Sequence, residues 1–252
     1  MGAFFVQYFY KYNMKKYIII LFVLVISSCN NESKITITKI KGSPDYQNSK
    51  IALKHMINRS LTKPVLEFSF DVSQYDLGVQ TIKEFDYNLA NSPKGQHIHL
   101  IVNNGPYSAH YEEEFIKDLE DNNNVILAFL SRSYHESVKN LNAFVLTQVS
   151  RNEIDLNKEF LFYSRPKGTY KGLDTENILL DFYLVNTEIS QNGNKVRATI
   201  HDSQFIIDDW APYYIKGLPM GEIKIKLELI DNLGNLIDSP FNPSERTFIL
   251  EK

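Results

Sequence analysis

Short runs of alternating apolar and polar residues recur along this chain, and helical periodicity is scarce. Ile35-Thr36-Ile37-Thr38, Leu66-Glu67-Phe68-Ser69-Phe70 and Ile223-Lys224-Ile225-Lys226-Leu227-Glu228-Leu229 all place apolar side chains at every second position. A period of two gathers those side chains on one face of a strand, so each run predicts a strand with one buried face. Turn signals separate the runs at Asn104-Gly105, Asn192-Gly193 and Asn232-Leu233-Gly234-Asn235. The expected class is all-β, built as sandwiches.

The pattern also repeats. Gly95-Gln96-His97-Ile98-His99-Leu100-Ile101-Val102 aligns with Gly193-Asn194-Lys195-Val196-Arg197-Ala198-Thr199-Ile200 at an offset of 98. Val125-x-Leu127-x-Phe129 matches Ile223-x-Ile225-x-Leu227 at the same offset, and Leu66–Phe70 resembles Leu180–Leu184. The expectation is two tandem immunoglobulin-like β-sandwich domains, at 35–150 and 176–252, each within ordinary domain size. Segment 151–175, with Pro166, Gly168 and Gly172, reads as a linker. A single large sandwich is the alternative.

The chemically suggestive segment is a hairpin in the first repeat. If the turn centres on Asn104-Gly105, residues whose numbers sum to 209 face each other. Ile98, Leu100, Ala109 and Tyr111 then share a buried face. On the other face His99 opposes His110, and His97 opposes Glu112. Directly opposed side chains have Cβ atoms about 4.5–5.5 Å apart, close enough for imidazoles and a carboxylate to enclose Zn²⁺ or Cu²⁺. His135 joins this set if its loop folds over that face. The same register in the second repeat places Arg197 opposite Asp208 and Lys195 opposite Trp210, so the architecture itself asks only for polar pairs. A solvent-facing histidine pair that binds nothing is the plain alternative. His55 and His201 lack such company and are expected at the surface.

Residues 14–29 address the chain. Lys15 and Lys16 precede the apolar run Tyr17–Ile26, which is too short to span a bilayer. Ile26-Ser27-Ser28-Cys29 follows, and the whole segment resembles a bacterial lipoprotein signal. That resemblance implies a signal peptide at 1–28, with translation starting at Met14, and lipidation of Cys29 as the membrane anchor. Asn30 after the cysteine implies the outer membrane, on either its periplasmic or its cell-surface side.

Composition narrows the function. Cys29 is the only cysteine, so no intrachain disulfide forms and no thiol nucleophile remains. The net charge is −3; residues 1–28 hold Lys11, Lys15 and Lys16 and no acid, so their removal takes it to −6. An acidic chain lacks the basic footprint of a nucleic-acid binder. No Gly-x-Ser-x-Gly elbow and no phosphate-cradling Gly-x-x-x-x-Gly-Lys is present, which leaves an enzyme without visible machinery. Two further ligand readings are open. Tyr163, Arg165, Lys167 and Tyr170 could stack on and hydrogen-bond a carbohydrate or anion. Ser131-Arg132-Ser133-Tyr134-His135 resembles the Ser-x-x-His element of phosphopeptide-reading forkhead-associated domains, with one residue too many.

The strand Gly95–Asn103 resembles a Gly-His-His-His-Leu-Leu-Ile-Asp strand of small exported domains of unknown function, and Met220–Leu227 is similar to their second motif without its histidine. The resemblance implies an exported lipoprotein of two β-sandwich modules and points to His97 and His99; Lys195 and Arg197 depart from it. The sequence reading is therefore a non-catalytic binding or structural module at the cell envelope, for an unidentified ligand or envelope protein. The alternatives are copper or zinc binding through the histidine hairpin, and carbohydrate or phosphopeptide binding.

Overall fold

The alternating runs form strands, and the strands form sheets in which every long segment is antiparallel. A computed structural model describes residues 34–120, 122–149 and 154–252; the signal segment and Cys29 lie outside the described residues. The first three strands are β1 (Thr36–Lys39), β2 (Lys50–Asn58) and β3 (Val65–Ser73). There follow β4 (His97–Val102), β5 (Ser108–His110), β6 (Glu114–Asp118), β7 (Asn124–Ser131) and β8 (Phe144–Val149). The second half contains β9 (Phe160–Arg165), β10 (Gly168–Lys171), β11 (Ile178–Val185) and β12 (Lys195–Ile200). It ends with β13 (Ser203–Ile207), β14 (Tyr213–Lys216), β15 (Gly221–Ile230) and β16 (Ser244–Glu251).

Four sheets result, and their orders echo one another. The orders β2-β3-β6 and β5-β4-β7-β8 in the first half correspond to β9-β11-β14 and β13-β12-β15-β16 in the second. Two strands are additions: β1 joins the edge of β14, and β10 pairs in parallel with β16. The protein is thus all-β, with sandwich-like sheets.

Three apolar layers hold these sheets. Phe68, Phe70, Ile98, Leu100, Ile126, Ala128 and Leu130 fill the space between the two sheets of the first half. Leu161, Tyr163, Phe182, Ile225, Leu227 and Phe248 do the same in the second. The third layer lies between the halves: Ile101, Val125, Leu127 and Phe129 meet Phe160, Phe162, Tyr183 and Val185. Successive strand residues point to opposite faces, so β7, β9 and β11 each supply two cores and are buried along their whole length. Residues 34–252 accordingly form one compact unit of four stacked layers.

Two expected boundaries are corrected here. Segment 151–175 is not a bare linker, because β9 and β10 occupy 160–165 and 168–171. Phe160-Leu161-Phe162-Tyr163 lacks alternation because both its faces are covered, and Pro166 and Gly168 mark the turn between two strands. Nor does the first module begin at 35, since β1 hydrogen-bonds to β14 of the second half. In the second repeat Arg197 faces Ile206 on β13, not Asp208, and its ion pair is made with Glu228 on β15 at 2.9 Å. Lys195 faces Ile230 and bonds the Gly193 carbonyl, away from Trp210.

Candidate metal centre

His97 and His99 stand on the same face of β4 as Ile101, because the strand repeats every second residue. Ile98 and Leu100 point the other way, into the first sandwich. The face carrying the histidines is the one turned toward the second half, so both rings are fully buried and not solvent-facing. His135 is brought to them by the turn after β7. Its φ of 68° is left-handed, and the turn is closed by His135 N–H donating to the Arg132 carbonyl at 2.8 Å. A buried Arg132–Glu136 ion pair at 2.9 Å spans the turn. Ser133 N–H donates to Thr81 Oγ1 and ties it to the 74–96 connection.

The three imidazoles converge. His97 Nε2 lies 2.8 Å from His99 Nε2 and 3.1 Å from His135 Nδ1, and one nitrogen from each ring lies within 4.8 Å of the others. The Tyr107 hydroxyl is 3.1 Å from His135 Nδ1. Burial holds all three rings neutral: the His97 pKa is lowered to about 4, and those of His99 and His135 fall well below the ordinary range. Neutral imidazoles are the protonation state a transition metal requires. With His97 Nδ1–H on the Gly95 carbonyl, the 2.8 Å contact makes His99 Nε2 the donor to His97 Nε2, so an ion between them needs the other His99 tautomer.

The donor set fits zinc or copper. Metal–nitrogen bonds of about 2.0–2.1 Å at tetrahedral angles separate nitrogens by roughly 3.3 Å. The observed 2.8 and 3.1 Å contacts at His97 need to open by a few tenths of an ångström, and the widest separation in the set, up to 4.8 Å, has to close by more than an ångström. His97 Nδ1–H donates to the Gly95 carbonyl at 2.8 Å, which fixes the tautomer and leaves Nε2 as the ligand atom. Gly95 is itself forced by packing: its φ is +85°, and a Cβ there would sit 2.6 Å from Gly78 C. Three protein ligands leave a fourth coordination position open.

Two members of the expected set do not join. The hairpin turns on Asn103 and Asn104, both at positive φ (49° and 54°), and not on Asn104-Gly105. An extra residue before Ser108 then sets the pairing, so His110 faces Ile98 while Ala109 faces His99. The sum is 208, one less than expected, and His110 falls on the opposite face. There it stacks on Phe115 with centroids 3.4 Å apart and hydrogen-bonds Ser108. Glu112 is exposed in the bend beyond β5 and stands outside the cluster. His55 and His201 are exposed, as expected.

Tyr163 and Tyr170 are corrected as well: both are buried in the second core, which removes them as exposed stacking platforms. Arg165 is 8% exposed and donates to the Tyr170 hydroxyl at 2.8 Å. Lys167 Nζ donates to the Tyr107 carbonyl at 2.7 Å. Ser131 and Ser133 are buried too, so that loop offers no peptide-reading surface. What sequence reasoning missed is Tyr107, whose ring stacks on His99, and Tyr111, whose ring centroid lies 5.1 Å from that of His97. It also missed that Arg165 and Lys167 close on this centre.

No protein-family model matches the chain, and no curated protein does. Among solved structures it is similar to the fibronectin(III)-like modules of Clostridium thermocellum CbhA, with TM-score 0.29 and 9% identity over 86% of this chain and 94% of that one. It is also similar to the two tandem V-type regions of VCBP3, a v-region-containing chitin-binding protein. There the TM-score is 0.22 and the identity 6%, over 87% of this chain and 100% of that one. The β-sandwich class itself rests on the strands, sheets and cores described above.

Proposed function

We propose that this chain is a non-catalytic metal-binding lipoprotein of the bacterial envelope, anchored to the outer membrane through lipidated Cys29. Its site is His97, His99 and His135, and its metal is Zn²⁺ or Cu²⁺. One observation carries the reading: three imidazole nitrogens from two separate chain segments meet within 4.8 Å at a buried point. The rings bond the Gly95 carbonyl, the Tyr107 hydroxyl and one another. His99 Nδ1 alone among their nitrogens is buried without a partner, so the cluster is close-packed and incompletely satisfied by protein groups. Gly95 and the Arg132–Glu136 pair support the geometry by fixing the His97 tautomer and the His135 turn.

The test is calorimetric titration of the full chain in detergent with Zn²⁺ and Cu²⁺. Binding of one ion per chain, lost in His99→Ala and kept in His110→Ala, is the expected result. Equal loss in both variants, or no binding at micromolar metal, sinks the reading.

A further inference from the structure

Beside the three neutral rings lies a group of cations with no counter-ion among the described residues. Arg165 is nine-tenths buried, its Nε has no hydrogen-bond partner, and one of its nitrogens bonds the Tyr170 hydroxyl. It interacts with the Tyr107 phenol as well, the same phenol whose hydroxyl meets His135 Nδ1. Lys167 Nζ and Arg246 bond only backbone carbonyls, of Tyr107 and of Asn104 and Ser164. The buried ion pairs among the described residues go elsewhere: Arg132 to Glu136 and Lys139 to Asp181. Buried charge is ordinarily paired, and a divalent cation on the histidines would add positive charge to this unbalanced group. An anion at the open coordination position resolves both problems, because it can ligate the metal and accept from a guanidinium.

We propose that the fourth position of the histidine centre takes a small oxyanion or carboxylate, held on its far side by Arg165. This rests on the metal reading above. The guanidinium presents a planar fork matched to two oxygens, and it meets the same Tyr107 hydroxyl that lies 3.1 Å from His135 Nδ1. The chain thus binds metal and anion together, each raising the affinity for the other.

The experiment uses the full chain in detergent loaded with Co²⁺, whose visible absorption reports ligand number and identity. Sodium acetate and sodium sulfate are titrated separately, with chloride as the ionic-strength control. A saturable band shift with acetate or sulfate is expected, and whichever oxyanion binds more tightly identifies planar or tetrahedral preference. Arg165→Met should weaken that anion about tenfold, the loss of one charge-assisted pair. If near-ultraviolet dichroism shows that variant unfolded, Arg165→Lys, which keeps the charge and loses the planar fork, carries the same test with a smaller loss. A Co²⁺ band that neither oxyanion moves beyond the chloride control overturns the inference and leaves the metal reading intact. So does an anion affinity unchanged in the folded variants. Absence of the Co²⁺ band overturns the metal reading and this inference with it.

Discussion

The ring of Tyr107 lies almost parallel to the imidazole of His99, with centroids 3.5 Å apart and 14° between the planes. Lys167 Nζ sits 3.8 Å from the centroid of the same tyrosine ring. Since His99 covers one face, the ammonium takes the other, and the phenol becomes a plate between the neutral rings and the cation. The plate matters more than its hydroxyl for stability. Tyr107→Ala should cost about 3–4 kcal/mol through lost burial and the cavity left behind, whereas Tyr107→Phe should cost about 1 kcal/mol for one hydrogen bond. Urea unfolding of both variants measures this. Equal losses would assign the effect to the hydroxyl.

Acid should destabilise the fold well before carboxylates titrate. The His97 pKa is about 4 in the folded chain because burial disfavours the imidazolium, against an ordinary value near 6.5. Between those values the unfolded chain binds more protons, so stability rises with pH there. The contribution is fully present above about pH 6.5 and falls as pH drops toward 4. His97 alone should remove roughly 2 kcal/mol by pH 5, and His99 and His135, lowered for the same reason, add to it. The urea midpoint measured from pH 7.5 to 5 should fall in the wild type. It should fall less in His97→Phe. A midpoint flat over that range contradicts the burial of neutral rings.

How legible was this in the sequence? The period-two face of β4 was plain, so His97 and His99 could be placed together and apart from Ile98 and Leu100. Their burial was not plain, because alternation says which side chains share a face and nothing about what covers it. β7, β9 and β11 carry continuous apolar runs, and such a run signals burial on both faces. Read that way, Phe160–Tyr163 would have emerged as a strand between two cores. Register failed for a local reason: Asn103 and Asn104 both tolerate left-handed backbone, as Gly105 does, so two turns were open. The choice moved His110 across the sheet. His135, Tyr107 and Arg165 met through tertiary packing, which no spacing encodes. The offset of 98 was sound at its centre: β4 and β12 begin at 97 and 195.

The shared middle layer predicts that the two halves unfold together. Phe129 from the first half stacks on Tyr183 from the second, centroids 4.7 Å apart, within a layer that both halves line. Neither sheet keeps that face covered if its partner unfolds, so a half alone would expose the whole layer. Calorimetry should record one transition, and Phe162→Ala, cut from this layer, should lower stability by about 3–5 kcal/mol without splitting the peak. Two resolved transitions in the wild type would show that the layer does not couple the halves.

His135 and His201 make a matched pair for testing the metal site, since both are histidines at positive φ, 68° and 52°. Glycine adopts that backbone without strain, so His135→Gly and His201→Gly each remove an imidazole while leaving the turn able to form. Only His135 belongs to the cluster; His201 is exposed. A ligand that binds the folded state alone stabilises it by about 2.7 kcal/mol at a hundred times its Kd. In a chain of this size that corresponds to a rise in Tm of roughly 5–10 °C. Zn²⁺ at that excess should produce the rise in the wild type and in His201→Gly, and should lose most of it in His135→Gly. A rise that survives in His135→Gly would mean the ion sits elsewhere, because two buried imidazoles on one strand leave half the coordination sphere without protein ligands.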